Sequence, residues 1–241
     1  MSLRLLSYNI RYGGVGRENQ IAAVIRACTP DVVILEEASR PDAVKRIAGG
    51  CGMPYHGSHP GESLGWMSRT RPRGASWHKP WVAKRAWLTL EMPSLEIIGV
   101  HLSAIHSNLT EERRVWEMRA ILGTVRRDRS PVLTGDFNSI APGERFEPRR
   151  LPPRLRAFAW ATGGRIRWRT IGVVLGAGYS DAHLLAHPTP VPTFPTWDPG
   201  IRLDYCFVPA SEGSRVLSCD VITQEPAREA SDHFPLMTVL A

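Results

Sequence analysis

The sequence predicts a mixed α/β fold in which two β-sheets pack together with helices on their outer sides. Three observations predict it. Short apolar runs of strand length recur along the whole chain. Between several of them, apolar residues recur at i, i+3, i+4 and i+7, the period of one helix face. No linker and no short-period repeat divides the 241 residues, a length that allows one large core, so a single domain over residues 1–241 is expected.

The elements follow in order. "LRLLSYNI" (3–10) alternates as a first strand and is broken by Gly13, Gly14 and Gly16. Ile21, Val24, Ile25 and Cys28 mark one face of a helix that Pro30 follows, and "DVVILEE" (31–37) reads as a buried strand. Pro41 opens a short helix through Ile47. "GWMS" (65–68), "WVAKRAWLTLEM" (81–92) and "LEIIGVHLS" (95–103) read as neighbouring strands, the last two joined by a tight "MPS" turn. Thr110 is the expected N-cap of a helix with Glu111 and Glu112 in its first turn. Val115, Met118, Ile121, Leu122 and Val125 form its apolar stripe, and Arg126 and Arg127 end it, so its charges complement the helix dipole. "PVLTGDFN" (131–138) is a strand running into a loop. "RLDYCFVP" (202–209), "RVLSCDVI" (215–222) and "FPLMTVL" (234–240) supply the last strands.

Charge and composition narrow the function. The net charge is +7, and it is concentrated. Residues 69–87 carry six Arg/Lys, no acid and three tryptophans; residues 145–169 carry eight arginines, one glutamate and two tryptophans, which leaves the rest of the chain net negative. Concentrated arginine with interleaved aromatics suits a polyanion, because guanidinium meets phosphate and indole stacks on bases. The plainer alternative is a pair of solvated, Pro-rich loops. "IGVVLGAG" (171–178) is too short to span a bilayer, and "MSLRLLSYNI" lacks the long apolar stretch of a secretory signal, so a cytoplasmic protein is expected. Cys28, Cys51, Cys206 and Cys219 show no metal or redox spacing.

Polar residues recur at one kind of place, just after an apolar strand: Asn9 after "LLSY", Glu36 and Glu37 after "VVIL", His101 after "IIGV", and Asp136 and Asn138 after "VLTG". Asp204 sits early in "RLDYCFV", and Asp232 and His233 precede the last strand. Strand ends share an edge in open α/β sheets and build the ligand crevice there. Each residue taken singly reads as a turn residue; the ordered set does not.

That set, "SYNI", "LEEA", "VHLS", "GDFN", "RLDY" and "SDHF", resembles the endonuclease/exonuclease/phosphatase superfamily over residues 7–236. The resemblance implies a four-layered α/β sandwich and divalent-metal-dependent cleavage of phosphate esters. It implies metal-site roles for Asn9, Glu37 and Asp232, with magnesium (Mg²⁺) as the ion and Mn²⁺ as the alternative. It implies that Asp204 orients His233, and that His101, Asp136 and Asn138 complete the catalytic set, either His233 or Asp136 acting as base. Two departures stand out: Glu36-Glu37 replaces the usual Gln-Glu, and the loop "HLSAIHSNLT" lacks the tyrosine of abasic-site repair enzymes. The expected activity is that of a nuclease on DNA or RNA, with Arg165, Arg167, Arg169 and Trp168 contacting nucleic acid. The alternative is a phosphoesterase of lipids or small molecules, with Trp77 and Trp81 at an anionic membrane surface. No protein partner is implied.

Overall fold

The alternation of the first strand sets the architecture. In β1 (Leu3–Asn9), successive side chains point to opposite sheet faces, so Leu5, Ser7 and Asn9 share one face while Leu6 and Tyr8 share the other. The same split runs through β2 (Val32–Glu36), β7 (Glu96–His101), β8 (Val132–Asp136) and β10 (Asp204–Pro209), all buried or nearly so. A strand apolar on both faces needs cover on both sides, and this chain meets that need with four layers. The computed structural model describes residues 2–79, 83–104, 107–125, 131–144 and 168–241.

The remaining strands are β3 (Tyr55–Ser58), β4 (Gly65–Ser68), β5 (Gly74–His78), β6 (Trp87–Glu91), β9 (Tyr179–Asp181), β11 (Val216–Val221) and β12 (Leu236–Leu240). The first sheet runs β11-β12-β1-β2-β4-β3 and the second β5-β6-β7-β8-β10-β9. Each sheet has a parallel pair at its centre, β1 with β2 and β7 with β8, and antiparallel strands around it. Leu5, Val32, Ile34, Leu88, Ile97, Val132, Cys206 and Leu236 fill the space between the sheets. Leu6, Tyr8, Val33 and Leu35 face α1 (Glu18–Cys28) and α2 (Pro41–Cys51) on one outside. Ile98, Val100, Leu133, Phe137 and Phe207 face α3 (Asn108–Thr124) and α4 (Thr170–Gly176) on the other. The expected α/β class, with two packed mixed sheets and outer helices, is the architecture found.

Several local expectations are corrected. "GWMS" is not a neighbour of residues 81–92: β4 pairs with β2 and β3 in the first sheet, while β6 lies in the second beside β5 and β7. The N-cap of α3 is Ser107, one turn before the expected Thr110; Ser107 Oγ accepts the Thr110 N–H and Thr110 Oγ1 accepts the Ser107 N–H, a reciprocal box. Arg126 and Arg127 lie outside the described residues. Part of the basic stretch 69–87 is strand β5: Trp77 donates its Nε1–H to Leu64 O at 2.9 Å and packs against the inter-sheet core, and Trp87 is buried. Those two indoles are packing residues. All four cysteines are free and buried, as expected of core residues. Among the described residues no helix is long and apolar enough to cross a membrane.

Candidate active site

Register brings the polar strand ends together. Asn9 stands opposite Glu36 in the β1–β2 pair, His101 opposite Asp136 in β7–β8, and Asp204 opposite Asp136 in β8–β10. Each is two or four residues along from an inward-facing core residue, so each continues an apolar row of the inter-sheet face and ends it in a polar group. Asp136 is aimed by its neighbour. Gly135 has φ +143, and a Cβ there would lie 1.9 Å from Val100 O, so only glycine lets β8 approach β7 at the place where Asp136 emerges.

Asp136 is the hub. Its Oδ2 accepts the Asn9 Nδ2–H at 3.1 Å and its Oδ1 accepts the backbone N–H of Asn138 at 2.9 Å. His101 Nε2 is 3.6 Å and His233 Nε2 3.9 Å from Asp136 Oδ2. Asn138 adopts φ +49 and gives its side-chain amide to Leu102 O. Burial pushes the Asp136 carboxyl up; His233 opposes this and Asp204 reinforces it.

His233 and Asp204 form a dyad, with Nδ1 to Oδ2 at 2.8 Å and both residues buried. Burial works against the charged imidazole, but the Asp204 carboxylate and its hydrogen bond, then Asp136 and Asp232, outweigh it and raise the His233 pKa. Phe194 packs on the imidazole with ring centroids 4.7 Å apart. Thr193 Oγ1 accepts the backbone N–H groups of Leu203 and Asp204, fixing the strand end that carries the dyad acid. His101 is held differently. Its Nδ1 is hydrogen-bonded to Ser63 Oγ at 2.5 Å, and burial, then Arg85 and His233, push its pKa well below the usual histidine range, so it is a neutral ring.

The two adjacent glutamates part company. Glu36 ends its strand pointing inward, fully buried, with Oε1 accepting Ser7 Oγ–H at 2.8 Å. Glu37 turns out of the strand at φ +58 and its Oε2 accepts the Tyr12 N–H at 2.6 Å. Asn9 Oδ1 accepts the Arg11 N–H, and Asp232 Oδ2 lies 3.3 Å from Arg11 Nε. Asn9, Glu37 and Asp232 are thus linked through one turn, and all three offer oxygen, the donor set of a hard dication. A second group could also hold a metal: ligand atoms of Asp136, Asp204 and His233 lie within 4.8 Å of one another. There, however, His233 Nδ1 and Asp204 Oδ2 already satisfy each other, which fits proton handling better than ligation. The Asn9, Glu37 and Asp232 oxygens are engaged too, by Arg11 and Tyr12, and a dication held there would leave the dyad free for that role.

Glu36 yields an expected result. Burial raises its pKa well above the usual carboxylate range, with Asp204 and Asp136 adding to the effect against the Ser7 hydrogen bond. A raised folded pKa gives stability that is present in acid and lost as pH rises through that value. Glu36→Gln, neutral at every pH, should therefore raise the thermal midpoint at pH 8 by roughly 2–4 °C for each kcal/mol recovered and leave it nearly unchanged near pH 4. Thermal melts in EDTA at the two pH values check this; an equal shift at both would show that ionisation is not the cause.

The remaining expected contacts divide. Arg165 and Arg167 lie outside the described residues, as does Trp81. Trp168 is half-buried, packed against Ile140, Ile201 and Leu203 with the Arg114 guanidinium 5.9 Å from its ring. Arg169 is exposed and paired with Glu112, an ion pair that solvent screens. Ser7, Ser63, Thr193, Phe194 and Arg11 were not singled out in the sequence; serine, threonine and arginine at such places carry no pattern of their own.

A sequence model described as the Endonuclease/Exonuclease/phosphatase family matches residues 6–233. No curated protein matches the sequence. Among solved structures, an endonuclease/exonuclease/phosphatase from Beutenbergia cavernae superposes with a TM-score of 0.71 at 22% identity, covering 99% of this chain and 71% of that one. The 3' phosphatase NExo from Neisseria, bound to a product DNA hairpin, gives 0.73 at 15% identity over 99% of both chains. An AP endonuclease from Archaeoglobus fulgidus gives 0.71 at 17% identity, again over 99% of both. At these identities the structural likeness establishes the fold.

Proposed function

Because the chain belongs to the endonuclease/exonuclease/phosphatase family of metal-dependent phosphoesterases, we propose that it is a divalent-metal-dependent phosphodiester hydrolase acting on nucleic acid, DNA or RNA. The observation that carries the reading is the convergence on Asp136 of Asn9, Asn138, His101 and the His233–Asp204 dyad at one end of the sandwich. Asn9, Glu37 and Asp232 would hold Mg²⁺ or Mn²⁺. A dication there neutralises charge developing on the phosphate and lowers the pKa of bound water.

The chain's own groups supply the rest. Asp136, uncharged only if protonated, accepts or orients a proton from the attacking water beside it. His233 carries a proton that Asp204 steadies from the far ring nitrogen, fixing tautomer and orientation as charge develops. Neutral His101, with Asn138 across the strand end, is placed to donate hydrogen bonds to phosphoryl oxygens. The concentrated positive charge of the chain favours a polyanionic substrate, and one structural relative was solved with a DNA product. The reading of Trp77 as a membrane anchor loses its support, since that indole packs on the inter-sheet core.

A substrate panel of plasmid DNA, single strands, RNA, sphingomyelin and inositol phosphates, each with Mg²⁺, Mn²⁺ or EDTA, tests the proposal. Metal-dependent cleavage of nucleic acid alone is expected; turnover of sphingomyelin alone would overturn it. Glu37→Gln should raise the half-saturating Mg²⁺ concentration by about tenfold, the scale on which loss of a metal-site partner acts. Glu36→Gln should not, and the reverse result would exchange their roles.

A further inference from the structure

We propose that Tyr12 and Arg40 form a subsite for the nucleotide unit next to the scissile phosphate, Tyr12 stacking on its base and Arg40 meeting its phosphate. The inference rests on the nucleic-acid reading and adds to it the residues that grip the substrate beyond the reacting centre. Arg11 and Tyr12 have φ of 49° and 51°, two successive side-chain-bearing residues in the left-handed region, before Gly13 and Gly14 at 75° and 68°. Left-handed backbone is unfavourable for each residue that carries a Cβ, and such strain persists only where surrounding contacts impose it.

The contacts that impose it lead into the active site. Arg11 N–H is held by Asn9 Oδ1 at 3.0 Å and Tyr12 N–H by Glu37 Oε2 at 2.6 Å. The Arg17 guanidinium bonds Ile10 O, Arg11 O and Ala230 O, tying the turn to the segment before Asp232. The turn thus serves two metal-site side chains with its amides. Glycine would serve them equally well, because only backbone groups are involved. What the tyrosine adds is its ring, which stands 77% exposed with the Arg11 guanidinium 5.4 Å from its centroid. A large aromatic kept on strained backbone and left in solvent has no packing role.

Arg40 lies against the same turn. A Cβ on Gly13 would be 2.6 Å from Arg40 Cγ, so the arginine stem crosses the turn at its glycine. Its guanidinium is exposed and has no ion-pair partner among the described residues, unlike its neighbour Arg46, which pairs with Glu18. Beside it opens a hollow of about 750 Å³ whose lining includes Val15, Ser39, Arg40, Asp42, Arg46 and Pro60. Ser39 is tied back to the metal-site acid through its N–H to Glu37 O at 2.9 Å. An aromatic platform, an uncompensated guanidinium and an open hollow adjoining the metal-site turn are the parts with which single strands are gripped without base readout.

The test uses a labelled oligonucleotide, its binding measured in EDTA and its cleavage in Mg²⁺. Tyr12→Ala should weaken binding and kcat/KM by about tenfold to a hundredfold, the range for one stacked base, and Tyr12→Phe should retain both. The loss should vanish on an oligonucleotide abasic at the flanking positions. Tyr12→Gly should bind as poorly as Tyr12→Ala while its thermal midpoint stays level or rises, the mark of strain kept for a ligand. Arg40→Met, which preserves the stem over Gly13, should make the slope of log affinity against log salt shallower by about 0.7–0.9. Parental binding by Tyr12→Ala, an unchanged salt slope in Arg40→Met, or a Tyr12→Gly variant that melts lower yet binds fully would overturn the subsite alone. A parent protein that neither binds nor cleaves the oligonucleotide would overturn the nucleic-acid reading, and the subsite with it.

Discussion

His233→Ala should lower turnover on an unactivated phosphodiester by roughly 10²–10⁴-fold, the usual contribution of a positioned acid–base group. The size follows from how completely the imidazole is built in. It is buried, packed against a tilted Phe194 ring, bonded through Nδ1 to Asp204 and faces Asp136 through Nε2, so neither water nor a neighbour can replace it. Asp204→Asn should also lose activity with the fold intact, and it adds a pH signature. Burial opposes the His233 cation, but the Asp204 carboxylate, Asp136 and Asp232 outweigh it, so the folded pKa lies above the ordinary value. Removing the Asp204 charge lowers it, and any alkaline limb that reports loss of the His233 proton should move to lower pH. Stability shifts with the same sign: the dyad's contribution is fully present below the unfolded histidine pKa and is lost as pH rises through the raised one. Near-parental turnover in both variants would refute the dyad's role.

The polar end of the sandwich was legible in the sequence because strand ends leave a trace. A pleated strand that is apolar and then stops at Asn, Glu, His or Asp advertises a polar edge; four such stops, with Asp204 at one strand start and Asp232–His233 just before another, point to one crevice. One edge of each sheet left less. β3 ("YHGS") and β5 ("GASWH") close the sheets at β3 and β5 in the strand orders, are short, and alternate weakly, since edge strands are built from polar and small residues. β4 reads as a strand in the sequence but its sheet does not, because four residues carry a strand pattern and no partner. Glu36 and Glu37 were separable in sequence only through the resemblance; the left-handed φ that turns Glu37 outward is imposed by the fold. The supporting groups, Ser63 on His101 and Thr193 on the Asp204 amide, come from loops distant in sequence from their partners, and no local periodicity reports them.

Arg114→Met should reduce folding stability by about 3–5 kcal/mol, the loss expected when one partner of a buried ion pair is removed and the other charge is left behind. Arg114 is fully buried on α3; its Nε and Nη2 donate to Glu111 Oε2 at 3.0 and 2.8 Å, and its Nη1 donates to Ser103 O at 2.8 Å. The other Glu111 oxygen accepts Ser139 Oγ–H, the backbone N–H of Arg169 and both N–H and Oγ1–H of Thr170. Burial raises the Glu111 pKa, but Arg114 and the Arg169 and Thr170 donors outweigh it, so the folded value is depressed. That stability is present above the unfolded carboxylate range and is lost as pH falls through the depressed value. The gap between parent and Arg114→Met should therefore narrow in acid, and Glu111→Gln combined with Arg114→Met should recover much of it. Urea titrations at pH 7 and pH 4 measure both effects; equal gaps at the two pH values would mean that shape, not charge, carries the loss. The clasp also reaches the chemistry. Ser103 follows His101 by two residues, Ser139 adjoins Asn138, and Thr170 opens α4. The buried Glu111–Arg114 pair thus fastens the loops behind two site residues to Arg169 and Thr170. In conditions where Arg114→Met is still folded, its activity should fall further than its folded fraction.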